Sequence, residues 1–154
     1  MTQTGKTGPK KLLLPFILFL ALIMASCAST GSSQEKKLDD SVKLSIDAFN
    51  SAIKWEEYTE AAAFVPTDKK EQFWAMMDKI KGKIRITEYN LREVERKEKR
   101  LSANAILQFQ FWRLESPTLR TVTITQRWYF TEKDKQWRVG DSGLGALTHT
   151  NAGF

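Results

Sequence analysis

Few side chains in this sequence are equipped for chemistry. Cys27 is its one thiol and His149 its one imidazole. A single cysteine excludes an internal disulfide and any zinc site built on several thiolates, and a single histidine excludes sites that need two imidazoles. A thiolate is a nucleophile, and Cys27 stands directly after Met24-Ala25-Ser26. His149 could shuttle a proton only beside a carboxylate, yet it falls in residues 144–154, which show no helical or strand period. Among the carboxylates in or beside expected strands, Glu93 and Glu95 are interleaved with Arg92 and Arg96, and Glu115 adjoins the Ser116-Pro117 turn. Glu88 beside Tyr89 is the one pair that could combine a base with a phenolic donor. The competing and favoured reading puts Glu88 on the outer side of a bulge. Arg138 and Asp141 are close in sequence, but no second strand aspartate completes a water-activating set. Gly140, Gly143 and Gly145 follow a strand and open no helix, so they make no phosphate loop. No metal constellation is present and no cofactor is expected.

Chemistry at Cys27 depends on what precedes it. Residues 1–26 carry Lys6, Lys10 and Lys11, no acid, and an apolar run from Leu12 to Met24. That run is shorter than the roughly 20 residues of a spanning helix and suits the apolar region of a secretory signal peptide with a basic flank. Met24-Ala25-Ser26-Cys27 resembles the lipobox of bacterial lipoproteins: an aliphatic residue, two small ones, then the cysteine that is modified. The resemblance implies cleavage before Cys27, a diacylglyceryl group on its thiol, and fatty acyl chains such as palmitate. One chain binds a bilayer marginally, at ~0.8 kcal/mol per buried methylene, whereas two or three anchor stably. Ala28 and Ser29 lack the aspartate that retains enteric lipoproteins in the inner membrane. The implied location is therefore the periplasm-facing outer membrane, if the organism is Gram-negative.

Cleavage alters the charge. The 154 residues hold 24 basic and 18 acidic side chains, a formal net charge of +6. Losing residues 1–26 removes three lysines and no acid, which halves the charge to +3. Nucleic acid is thereby excluded as the expected partner. The membrane, reached through lipid on Cys27, takes its place.

The elements that position the remaining residues follow from periodicity. Residues 27–37 are small, polar and charged, and are expected to be a flexible tether. Leu38, Val42, Ile46, Phe49 and Ile53 then line one helical face. A short helical stretch covers Trp55 to Phe64. A third helix is expected from a capping-box-like Asp68/Glu71 pair through Phe73, Trp74, Met77 and Ile80, closed by Gly82. Beyond Gly82 the period becomes two. Ile84 and Ile86 alternate, parity slips near Glu88, and residues 93–100 read as a solvated hairpin tip. Leu101 to Phe111, Thr121 to Phe130 and Gln136 to Val139 supply three more strands. The expected fold class is α+β: three N-terminal helices packed on a curved four-stranded antiparallel sheet, over residues 38–141, with residues 142–154 as a tail.

That order, the long strands and the segment Lys135 to Gly143 resemble the nuclear-transport-factor-2-like superfamily of cone-shaped folds. A cystatin-like arrangement with one helix is the alternative. The resemblance implies a pocket between helices and concave sheet, which relatives use as isomerases, dehydratases or epoxide hydrolases. None of those residue sets is assembled here, so a non-catalytic role is expected. Trp55, Trp74, Trp128 and Trp137 fall on apolar faces and are expected in the core. Trp112 has the opposite parity. With Gln108, Gln110, Thr123, Thr125, Arg127 and Tyr129 it is expected to form an outer sheet face of the kind enriched at interfaces. The expected function is binding, with a second copy or an envelope protein as partner. A small-molecule binder or weak enzyme using the cone, and an envelope glycan binder stacking sugars on Trp112 and Tyr129, are the alternatives.

Overall fold

The computed structural model describes residues 30–97 and 101–149. Met24, Ala25, Ser26 and Cys27 lie outside the described residues. The first helix, α1 (Thr30–Lys54), places Val42, Ile46, Phe49 and Ile53 in the core, as their spacing requires. It is already helical at Thr30, the first described residue, and not only from near Leu38, so the stretch expected as a tether is helical over residues 30–37. The reason is local: Gln, Glu and Lys are good helix formers, and extending a nucleated helix adds one hydrogen bond for each residue ordered. The described residues 30–38 belong to a different unit from the compact body that begins at Asp39. No helix among the described residues is long and apolar enough to cross a membrane.

Helix α1 ends where Glu56 takes φ 63° and Glu57 N–H bonds back to the Ala52 carbonyl at 2.8 Å. One short turn, α2 (Tyr58–Ala62), leads to Pro66, a 3₁₀ turn over Thr67–Lys69, and α3 (Lys70–Ile80). Asp68 does not cap α3. The residues before the 3₁₀ turn and the helix are Pro66 and Lys69, and neither makes a side-chain cap. Gly82, at φ 66°, closes the helical region as expected, because only glycine adopts that conformation without a Cβ penalty.

Four strands follow in meander order: β1 (Ile84–Lys97), β2 (Ser102–Arg113), β3 (Ser116–Thr131) and β4 (Gln136–Asp141), all antiparallel neighbours. β2 alternates between buried and half-buried residues along its whole core-facing length, burying Ala103, Ala105, Leu107, Phe109 and Phe111. The register of β1 on β2 slips twice, at Thr87 and at Arg92. Each extra residue bends the strand and increases its twist. The first slip is the one expected near Glu88. Strand β1 also runs to Lys97, beyond the expected tip, because Val94 and Arg96 pair with Ala105 and Ala103. Mixed charge there marks an edge strand, where such residues discourage pairing with another chain, not a turn.

The described residues contain four α-helices, not three, the fourth being α4 (Ala146–His149) in the segment expected as a tail. Leu144 and Leu147 are fully buried. Arg113 closes this turn from outside, donating to the Leu147 and Thr148 carbonyls at 3.0 and 2.9 Å, where a cation suits the negative helix end. The α+β architecture with a four-stranded antiparallel sheet is therefore as expected, with one more helical turn.

The interior between helices and sheet is filled by side chains. Phe49 meets Trp128, Phe64 and Phe73 with ring centroids 5.7, 6.3 and 6.4 Å apart. Trp128 and Trp137 are buried, at 1% and 2% exposure, but Trp55 and Trp74 are 65% and 40% exposed. The expectation that all four lie in the core fails for the helical pair. Trp55 stands just past the last turn of α1 with Lys54 over its ring, and Trp74 points off α3 with its ring against Phe73.

Candidate binding groove

The outer sheet face forms as its parity dictates, but it is not one site. Thr123 pairs with Gln108, Thr125 with Ile106, Arg127 with Asn104 and Tyr129 with Ser102, and Gln110 pairs with Thr121. Trp112 pairs with Arg85 on β1. It lies eight β2 positions from Asn104, about 26 Å at roughly 3.3 Å per residue. A surface shared by Trp112, Arg127 and Tyr129 is therefore too long to grip one small ligand. Gln108 accepts a hydrogen bond from Arg92, and Thr123 and Thr125 are exposed.

The proposed chemical pairs are also redistributed. Glu88 and Tyr89 are adjacent in sequence, yet Glu88 pairs with Gln110 and Tyr89 with Phe109, on opposite faces. The Tyr89 hydroxyl donates instead to the Asp47 carboxylate on α1 at 2.7 Å. His149 is exposed at the end of α4. Asp141, near Arg138 in sequence, pairs across the strands with Arg127 at 2.9 Å, while Arg138 binds Asp134 and the Ala63 carbonyl. That bonding holds Asp134 below the usual carboxylate range.

Space for a ligand opens where β3, β4 and the 3₁₀ turn converge. A groove of about 450 Å³ has Lys69, Arg127, Asp141 and Ser142 among its polar lining. Its apolar wall includes Val65, Phe73, Met76 and Leu144. A second groove of about 550 Å³ shares Lys69, Arg127 and Gly140 with the first and extends past Tyr129 to Lys97. Both are open to solvent. Volumes of this size suit small-molecule sites, which combine an apolar lining with a few placed polar groups.

Local structure explains the geometry. Lys69 reaches across the edge of β4, and its ammonium donates to the Gly140 carbonyl at 2.8 Å. Val139 N–H donates to the Phe64 carbonyl at 2.9 Å, so the free edge of β4 is partly covered by the chain after α2. Gly140 lies under the Tyr129 ring, and a Cβ there would stand 3.3 Å from it. Asp141 accepts from Arg127 with one oxygen and from Gly143 N–H with the other, at 2.9 and 3.1 Å. Gly143 has φ 66°, and a Cβ on it would come within 2.8 Å of the Thr125 carbonyl. Burial, followed by the charge of Asp68, raises the Tyr129 phenol above its ordinary value. Among the described residues no group of three or more His, Cys, Asp and Glu could hold a metal ion.

Of the residues expected at a binding face, only Arg127 and Tyr129 border these grooves. Lys69, Ser142 and the Arg127–Asp141 pair were not anticipated. Lys69 sits in a charged run without a motif, and its partner Gly140 is 71 residues away. The one available signal was Asp141-Ser142-Gly143, whose aspartate and glycine suit a tight turn.

Comparison with known proteins adds little. No family model matches the chain, and no curated protein matches it. A solved structure from Pseudomonas putida KT2440, described as a candidate polyketide cyclase, is 15% identical with a TM-score of 0.45. The match covers 70% of this chain and 96% of that one. A likeness so slight carries no activity across.

Proposed function

We propose that this chain is a lipid-anchored cell-envelope protein whose nuclear-transport-factor-2-like domain binds a ligand or partner at its surface. The observation that carries the binding reading is how the interior is used. Phe49, Leu107, Phe109, Phe111 and Trp128 fill the space between helices and sheet and are fully buried. The buried amides of Asn50 and Gln126 bond to each other there. Ligand-sized space is left at the surface instead, in the grooves around Lys69 and Arg127. The family assignment rests on the helix-then-meander order and the late strand around Trp137. The anchor rests on Lys6, Lys10, Lys11, the apolar run and Met24-Ala25-Ser26-Cys27.

Two measurements test this reading. Fractionation should find the full chain with the outer membrane and Cys27→Ser in the soluble envelope fraction; a variant that still partitions with membrane defeats the lipid anchor. Cross-linking of the lipidated protein in its own cells should capture a partner, or a second copy, that Arg127→Glu/Tyr129→Ala loses. Capture unchanged by that variant removes the groove as the binding surface.

A further inference from the structure

The groove at Lys69 also indicates what kind of ligand fits it, and this step rests on the surface-binding reading above. We infer that it takes a small amphipathic organic anion, a carboxylate carried on an aromatic or aliphatic body. The apolar half of the site is Val65, Phe73 and Leu144, all buried with only an edge presented to the groove, plus the half-buried Met76. A thioether is unbranched and polarisable, so Met76 can adjust to rings or chains of different shape.

The polar half is cationic with donors to spare. An ammonium has three donors, and Lys69 spends one on Gly140, which fixes the side chain over the groove. A guanidinium has five, and Arg127 directs one nitrogen to Asp141 while its side chain stays 70% exposed. Asp141 offsets one of the two positive charges and leaves the groove net cationic, and its two oxygens are engaged by Arg127 and by Gly143. Its role is to hold Arg127 in place. Lys97, lining the adjoining groove, is paired with Glu95 at 3.4 Å and adds no net charge, and Asp68, which lines neither groove, is close enough for its charge to act on Tyr129. A carboxylate seated between Lys69 and Arg127 would gain charge-assisted hydrogen bonds, and its apolar body would cover the wall below.

Isothermal calorimetry on the detergent-solubilised full chain tests this with naphthylacetate, its neutral amide naphthylacetamide, and acetate. The acid should bind at least about tenfold more tightly than the amide, the ratio expected from one charge-assisted hydrogen bond. Acetate, which has the charge without the body, should bind more weakly than either. Lys69→Met/Arg127→Gln should abolish the preference for the acid. Lys69→Arg should retain it, and so should Trp112→Ala at the far end of β2. Equal binding of acid and amide, or a preference that survives in the double variant, overturns the anion assignment. Partner capture by cross-linking is read separately, so loss of the anion preference with groove-dependent capture intact refutes this inference and leaves surface binding standing.

Discussion

Asn50 on α1 and Gln126 on β3 hold each other by two amide hydrogen bonds, of 3.1 and 2.8 Å, across a core that is otherwise apolar around them. Asn50 also donates to the Ile46 carbonyl, and Trp128 Nε1 donates to the Gln126 carbonyl oxygen at 3.2 Å. Each polar atom of the two amides has a partner, which is the condition under which buried amides add specificity without a large penalty. Asn50→Leu alone strands the Gln126 amide N–H, while its oxygen keeps Trp128 Nε1, at a cost of about 1–3 kcal/mol for the unpaired donor. Asn50→Leu/Gln126→Met should lose clearly less than the sum of the two single variants, as urea denaturation would measure. Strict additivity would show that the two amides do not act as a unit.

Residues 142–149 are structural, which gives a sharp contrast with the expected tail. Leu147→Ala should cost about 2–5 kcal/mol, as for other fully buried leucines. Gly143→Ala should also destabilise, because its φ is positive and the new Cβ would meet the Thr125 carbonyl. Thermal denaturation of the two variants, set against an exposed control such as Thr123→Ala, checks both.

Alkaline pH should loosen the contact between α1 and β1. Burial, then the hydrogen bond and charge of Asp47, push the Tyr89 phenol up to about 12. The native state therefore holds this proton more tightly than the unfolded chain does. Its stabilisation is complete below about pH 10 and is lost as pH rises through the folded value. Tyr89→Phe should flatten the fall of the urea midpoint across that window. Titration of phenolate absorbance should lose its latest component in the same variant.

Lys135 occupies a strained position. It has φ 54° in the loop between the paired residues Thr131 and Gln136. Lys135→Gly should stabilise the β3–β4 hairpin by up to about 1 kcal/mol, since glycine bears no Cβ penalty there. A denaturation midpoint that falls would mean that the lysine side chain makes a contact worth more than the strain.

Legibility along this chain tracks the range of the forces involved. The face of β2 could be read directly, because a period of two is a local property and every second residue from Ala103 to Phe111 is apolar or small. The core stripe of α1 could be read for the same reason, from a period of 3.6. The bulge near Glu88 showed itself as a slip in parity. Burial of individual tryptophans did not, since Trp55 and Trp137 both fall on apolar faces by period and differ in what packs over them. Trp137 is covered by the Arg96 guanidinium 5.0 Å above its ring, and its Nε1 donates to the Ser41 hydroxyl. Trp55, 65% exposed, has the ammonium of its neighbour Lys54 over its ring.

The candidate site divides along the same line. Composition and order alone determined the single thiol, its setting after Met24-Ala25-Ser26, the helices followed by a meander, and the outward parity of Arg127 and Tyr129. Those are properties of short windows, legible wherever local pattern dictates the outcome. Only the tertiary structure decided that Asp141 serves Arg127 and not Arg138, that Lys69 crosses to Gly140, and that Trp112 stands apart from both. The physical reason is register: partners along adjacent strands, and across a strand edge, are chosen by pairing over tens of residues, which no local spacing encodes.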